Sequence, residues 1–203
     1  MKQLIKKLIF FIISPFVIKK LNSSSVYITF DDGPHPENTY KVIDILKEYG
    51  VYASFFVSGK EVDKYPKVLK ALYDAGHSIC YHAYEHNHAS EKSFGTFIVE
   101  LDKVNEFEVQ YGVKFKKLYR PPYGELTIMT LYQLIVKGWK VVLWSVDSRD
   151  SFDKSEQVFE NVSSKNIVPG DILLFHDDYE LTVNLLPKLL AHYKEAGVPC
   201  QKL

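Results

Sequence analysis

Sulfur is nearly absent from this 203-residue chain. Its two cysteines, Cys80 and Cys200, stand in unrelated contexts and form no C-x-x-C pair. A disulfide framework and a thiolate zinc site are both excluded, so any metal must be held by histidine and carboxylate. An excess of charge is missing too: 25 Lys and Arg balance 25 Asp and Glu. Without a bulk basic field there is no counterion-release drive toward DNA or RNA, and no nucleic-acid partner is expected. Low-complexity tracts and linkers are absent, which excludes a disordered chain or a string of modules, and the 46% hydrophobic and 14% aromatic content fits one folded domain.

The chain also lacks a hydrophobic run long enough to span a bilayer. Its longest, Leu8 to Ile18, lies between Lys6-Lys7 and Lys19-Lys20 and as a helix would rise roughly 16 Å against a hydrocarbon core of about 30 Å. Residues 1–25 are therefore read as a separate apolar and basic segment. It is either signal-like or a helix lying in a membrane interface through residues 4–21, with a helix packed on the domain as the bland alternative. The nearest small residues for cleavage, Ser23-Ser24-Ser25, come after two lysines and directly before a strand, which makes a poor cleavage site.

From Val26 onward, short β-branched and aromatic runs alternate with helix-period stretches, the pattern of βα units around a parallel sheet. Strands are expected at Val26–Phe30, Tyr52–Val57, His77–Tyr81, Lys117–Tyr119, Lys140–Val146, Asp171–Phe175 and Val198–Gln201. Helices are expected at Glu37–Tyr49, Lys60–Ala75, Lys92–Tyr111, Glu125–Lys137, Lys154–Ser164 and Leu181–Glu195, most of them followed by a glycine suited to a left-handed cap. The architecture read from this is a single α/β barrel over residues 26–203, slightly smaller than the eight-fold type. A doubly wound open sheet is the fallback, but the first βα turn carries Asp31-Asp32-Gly33-Pro34 instead of a glycine-rich phosphate loop.

The polar residues fall where such a barrel builds its site. Asp31 and Asp32 follow the first of these strands, His82 and His86 the third, Arg120 the fourth, Asp147 and Asp150 the fifth, and His176 the sixth. Carboxyl ends of parallel strands converge on one face, so these residues are expected to meet. His82 and His86, spaced i, i+4, share a face if a helix begins there. With a carboxylate from Asp31 or Asp32 they make a two-His, one-carboxylate set that leaves positions open for water and substrate. Zinc is the default ion, with Co²⁺, Mn²⁺, Fe²⁺ or Ni²⁺ as alternatives. The second aspartate is then free to take a proton from water, and His176 can protonate a leaving amine. His35, His88 and His192 are read as surface or supporting residues, and His77 as structural.

Taken together these residues resemble the polysaccharide deacetylases of carbohydrate esterase family 4, which share the nodulation-type chitooligosaccharide deacetylase homology domain. Thr29-Phe30-Asp31-Asp32-Gly33-Pro34 reproduces the first family motif, and His82-Ala83-Tyr84-Glu85-His86 resembles the second. Arg120-Pro121-Pro122-Tyr123-Gly124, Asp147-Ser148-Arg149-Asp150 and Leu174-Phe175-His176 resemble the other three, in order. The resemblance implies a deformed (β/α)7 barrel and a metal-dependent hydrolase of carbon–nitrogen bonds other than peptide bonds. Its substrate would be an acetylated carbohydrate: a chitooligosaccharide, peptidoglycan or another envelope glycan. It implies Asp31 as general base, Asp32, His82 and His86 as metal ligands, and His176 as general acid. The Tyr123 backbone N–H would serve as an oxyanion donor, Arg120 and Asp150 would pair behind Asp31, and Leu174 would line the acetyl pocket.

Two positions depart from the family pattern. Ser151 stands where a pocket-walling Trp is common, so Trp144 or Phe152 is expected to supply that wall. Cys80-Tyr81 replaces a small residue followed by Asn or Asp, and the bulkier Tyr81 is expected to reshape the metal entrance. Competing readings are an O-acetyl esterase or a deacetylase of a lipid-linked sugar on the same site, a catalytically silent carbohydrate-binding module, and a phosphoryl-transfer barrel. The last would need a phosphate-cradling loop or basic clamp, of which only Arg120 is present. The protein is expected to act as a monomer at the cell envelope or membrane, a cytoplasmic location being the alternative.

Overall fold

The computed structural model describes residues 14–91 and 93–203. Its sheet runs β1(Val17–Ile18), β6(Lys140–Val142), β5(Phe115–Tyr119), β4(Ser78–Tyr81), β3(Ser54–Val57), β2(Val26–Asp31), β8(Ile172–His176), β7(Val146–Asp147), with β9(Cys200–Gln201) added beside β2. Every strand pair is parallel. The expected barrel is thus a deformed one. β6 and β7 do not pair, and the gap between them is filled from the N-terminal side: the Leu143 N–H donates to the Ile18 carbonyl at 2.8 Å and the Leu21 N–H to the Gly170 carbonyl at 2.9 Å.

Strand alternation sorts the apolar residues into two layers. Tyr27, Phe56, Cys80, Val142 and Ile172 point into the barrel, where Ile18, Leu21, Leu118 and Leu203 pack against them. Their neighbours one position along, including Ile28, Phe30, Phe55, Ile79, Leu173 and Phe175, point outward under the helices. The helices are α1(Asn38–Glu48), α2(Gly59–Lys64), α3(Pro66–Asp74), α4(Phe94–Tyr111), α5(Ile128–Val136), α6(Ser155–Asn161) and α7(Glu180–Glu195).

Three expectations are corrected. The helix expected over Lys60–Ala75 is two helices, because Pro66 occupies a first-turn position of α3 and Tyr65 before it is non-helical. The strand expected over Lys140–Val146 breaks after Val142, where the chain leaves β5 and β1 and takes β8 as its partner. The N-terminal apolar helix is not found over residues 14–21: Ser14–Phe16 is a 3-10 turn and Val17–Ile18 a strand of the sheet. The rest of that expected helix lies outside the described residues. Among the described residues no helix is long and apolar enough to cross a membrane.

Candidate active site

β2 ends on Asp31, which shares the inward face with Tyr27 and Thr29. Arg120, directly after β5, lies fully buried inside the barrel beneath it. Nη1 of Arg120 donates to Asp31 Oδ1 at 2.6 Å and to Thr29 Oγ1 at 2.8 Å, Nε donates to the Val142 carbonyl at 3.3 Å, and the guanidinium carbon lies 4.0 Å from the centre of the Phe56 ring. A buried guanidinium is tolerated only when its donors are used and its charge is matched, and here both conditions hold. Burial raises the Asp31 pKa and the Arg120 charge and hydrogen bond pull it back, leaving it above the ordinary carboxylate value.

Asp32 has a φ of 71°. This left-handed turn lets two consecutive aspartates serve different partners, Asp31 toward Arg120 and Asp32 toward the histidines. Asp32 Oδ1 is buried and has no hydrogen-bond partner, and it lies 3.4 Å from His82 Nε2 and 3.7 Å from His86 Nε2. His82 Nδ1 lies 2.8 Å from the Arg120 carbonyl. The Nδ1–H donates to that oxygen, which leaves the Nε2 lone pair turned to Asp32. Burial holds His82 down to about 3, so it is neutral, as a ligand must be. One ligand atom from each of Asp32, His82 and His86 lies within 4.8 Å of the others. An orphaned carboxylate oxygen facing two imidazole nitrogens fits a divalent cation chemically, and the donor set is that of an open catalytic site.

The route by which His86 arrives differs from expectation. Residues 82–88 form no helix, and Ala83 has a φ of 82°; the two rings converge through an irregular loop, with centroids 5.2 Å apart. That loop is braced from the β5 side. The Tyr123 ring meets His86 edge-on at 4.5 Å and stacks on His88 at 4.0 Å, while His88 Nδ1 lies 3.2 Å from Glu125 Oε2. Tyr123 itself has a φ of 56° within the turn Pro122–Gly124.

His176 closes the site from the end of β8. Its Nδ1 is 2.7 Å from Asp150 Oδ1, while Asp150 Oδ2 accepts the His176 backbone N–H at 2.7 Å and the Thr182 hydroxyl at 2.6 Å. The expected Arg120–Asp150 pair is therefore corrected. Asp150 is spent on His176 and Thr182, and Arg120 supports Asp31 without it, because the β5 and β7 ends deliver the two residues to different partners. Burial disfavours the His176 cation, but the Asp150 hydrogen bond and charge, with Asp31 and Asp32, raise it to about 9. Its Nε2 is 3.9 Å from Asp32 Oδ2.

Leu174, two residues before His176 on β8, is buried on the same strand face. Trp144 is half-buried, and a Cβ added at Gly124 would lie 3.4 Å from its ring. Phe152, the other residue expected to supply the wall, is 82% exposed. Tyr81 does not shape the entrance: its position on β4 points it outward, where its hydroxyl donates to the Glu100 carbonyl at 3.0 Å, while Cys80 points inward. Asp147 only accepts the Arg149 N–H.

Sequence reasoning missed Thr29, Thr182 and Asp177. Thr29 was available from strand alternation with Asp31, whereas Thr182 lies on α7 and carried no local signal. Asp177 is buried beside Gly33 and Thr39, its carboxyl raised by burial to about 7. A cavity of about 560 Å³ opens beside Asp32 and His86, with His35, Lys60, Tyr84 and Glu85 on its walls, room enough for a sugar.

The family model described as polysaccharide deacetylase matches residues 18–142. The chain is 31% identical over 180 residues to a peptidoglycan-N-acetylglucosamine deacetylase of Bacillus cereus, covering 87% of this chain and 66% of that one, so it spans about two thirds of that relative. It is 34% identical over 157 residues to the chitooligosaccharide deacetylase of Azorhizobium caulinodans, covering 77% and 75%. A crystal structure of the Bc1960 peptidoglycan N-acetylglucosamine deacetylase with a bound naphthalenyl N-oxidanyl-benzamide superposes with a TM-score of 0.86 at 28% identity, covering 96% and 94%.

Proposed function

This chain belongs to the polysaccharide deacetylase family, and we propose that it hydrolyses the N-acetyl group of N-acetylglucosamine-type sugars in an oligo- or polysaccharide, either an envelope glycan such as peptidoglycan or a chitooligosaccharide. The carrying observation is that Asp31 on Arg120, the Asp32/His82/His86 set and His176 on Asp150 occupy one rim of the barrel. Asp32, His82 and His86 would hold one divalent metal, Zn²⁺ before Co²⁺, Mn²⁺, Fe²⁺ or Ni²⁺. When bound, the metal supplies Lewis acidity that polarises the acetyl carbonyl and acidifies water. Asp31 takes the proton of the attacking water, and its raised pKa makes it the stronger base. The Tyr123 backbone N–H donates to the developing oxyanion, and such donors are generally worth about 3–4 kcal/mol. His176 carries its proton on Nε2 and gives it to the departing amine, while Asp150, accepting from Nδ1, keeps it protonated. Leu174 and Trp144 enclose the acetyl methyl.

We place the protein at the cell envelope as a monomer. The chain divides into an apolar, basic N-terminal segment and the catalytic domain of residues 26–203, to which β1 adds a strand. Of residues 4–21, Val17–Ile18 are committed to the sheet, which leaves the stretch before Ser14 for membrane contact. The test is acetate release from N-acetylglucosamine oligomers by chelator-stripped protein, with and without Zn²⁺, Co²⁺ or Mn²⁺. Metal-restored release is expected. Metal binding without release from oligomers, peptidoglycan or any acetylated glycan would overturn the reading in favour of a silent module.

A further inference from the structure

The chain carries no net charge, yet the two rims of the barrel do not share its charges equally. The rim beyond the carboxyl ends of the strands holds the site carboxylates together with Glu37, Glu85, Glu91, Glu125 and Glu180, which outnumber its exposed cations Lys60, Arg149 and Lys154. The opposite rim, where the strands begin, carries the exposed Lys114, Lys116, Lys140, Lys165 and Lys202 against Glu48, Asp74 and Glu195. Asp171 on that rim is taken up by Lys20 at 3.0 Å, and Lys114 is paired with Glu108 at 2.6 Å. Lysines at helix C-termini complement the helix dipole and need no further reason. That account does not reach Lys116 and Lys140, which stand on β5 and β6, or Lys165 and Lys202, which lie outside helices. By alternation Lys116 and Lys140 share the inward face of Leu118 and Val142, so they edge the mouth of the barrel interior. A cleft of about 570 Å³ lies among Lys114, Lys116 and Lys202.

A second observation points to the same rim. β1 runs parallel to the other strands, so the chain enters it from this end. The sequence that precedes Ser14 is itself basic and apolar, with Lys2, Lys6 and Lys7 among Leu4, Ile5, Leu8, Phe10 and Ile12. Net-neutral proteins are not drawn to charged surfaces in bulk, but a segregated basic face is attracted to the negative potential of an anionic leaflet within a Debye length.

We propose that this amino-terminal rim docks on an anionic lipid bilayer, so that the catalytic rim faces away from the membrane toward extended glycan. The inference rests on the membrane reading given above for the N-terminal stretch, and adds to it the docking face, the lipid charge and the orientation. The experiment is co-sedimentation of the full chain with phosphatidylcholine vesicles, with and without phosphatidylglycerol, at low and high salt. It compares wild type with the double variant Lys116→Glu, Lys140→Glu. Expected are binding only to anionic vesicles, release by salt, and a loss of about tenfold or more in the variant, with thermal stability and acetate release from soluble oligomers unchanged. Binding left intact by the double substitution would overturn the proposal while leaving the N-terminal contact standing. Absence of binding to any vesicle would overturn both. Binding to soluble polyphosphate as tight as to vesicles would overturn the bilayer as occupant in favour of an anionic polymer.

Discussion

Arg120 and Asp31 are each tolerable in the barrel interior because of the other. Replacing Arg120 by Met leaves a buried carboxylate without its counter-charge, so Arg120→Met should destabilise the fold by about 3–5 kcal/mol in urea denaturation. The same residue scale separates the two aspartates. Asp31 accepts from the Arg120 guanidinium that also donates to Thr29, whereas Asp32 faces the histidines. Asp31→Asn should bind metal with near wild-type stoichiometry while losing most of kcat. His82→Ala should lose metal as well, because it removes the Nε2 ligand and leaves the Arg120 carbonyl without its imidazole donor. Equal metal loss in both variants would refute the division between base and ligand.

Loops and short strands, more than helices, set the precision of this site. The 82–88 loop has no helical ladder to hold His86, so its position depends on Tyr123, His88 and Glu125. Removing the stacked ring in His88→Ala should weaken metal binding about tenfold with little change in thermal stability, and His88→Phe, which restores the stack, should recover most of it. A variant that lowers stability and metal affinity together, without recovery by Phe, would mean that His88 serves folding alone. At the other end of the barrel, Gly170 has a φ of 89° and a Cβ there would overlap the backbone carbonyl of Leu21. Backbone cannot rotate aside as a side chain does, so Gly170→Ala should unseat the return of the N-terminal strand. A loss of at least about 2 kcal/mol is expected by denaturation.

Across the whole molecule, stability and chemistry are layered along the barrel axis, and one separable part of the pH response of folding belongs to the end away from the site. His77, at the start of β4, accepts the Ala53 N–H on Nδ1 at 3.2 Å and packs against Phe55. Burial, aided by the Lys202 charge, lowers it to about 4 from 6.5. Between those values the unfolded chain binds a proton that the native chain does not, so stability rises with pH through the window and is lost as pH falls from about 6.5 to about 4. Chelator-treated wild type should lose on the order of 2–3 kcal/mol more over that range than His77→Gln, followed by urea denaturation at each pH. Parallel slopes for the two proteins would refute this. The strand and helix alternation, the single α/β domain and the polar residues that gather at one rim were all legible in the sequence. Periodicity of 2 and 3.6 is written into neighbouring residues, and parallel topology sends every strand's carboxyl end to one rim. What the tertiary structure alone decided was partnership. That Asp150 serves His176 and not Arg120, that Tyr81 turns outward, that Val17–Ile18 fills a gap in the sheet and that basic charge is in surplus at one rim all depend on distances between residues far apart in the chain. No local pattern encodes such distances, because they are fixed only when the sheet closes around its inner layer.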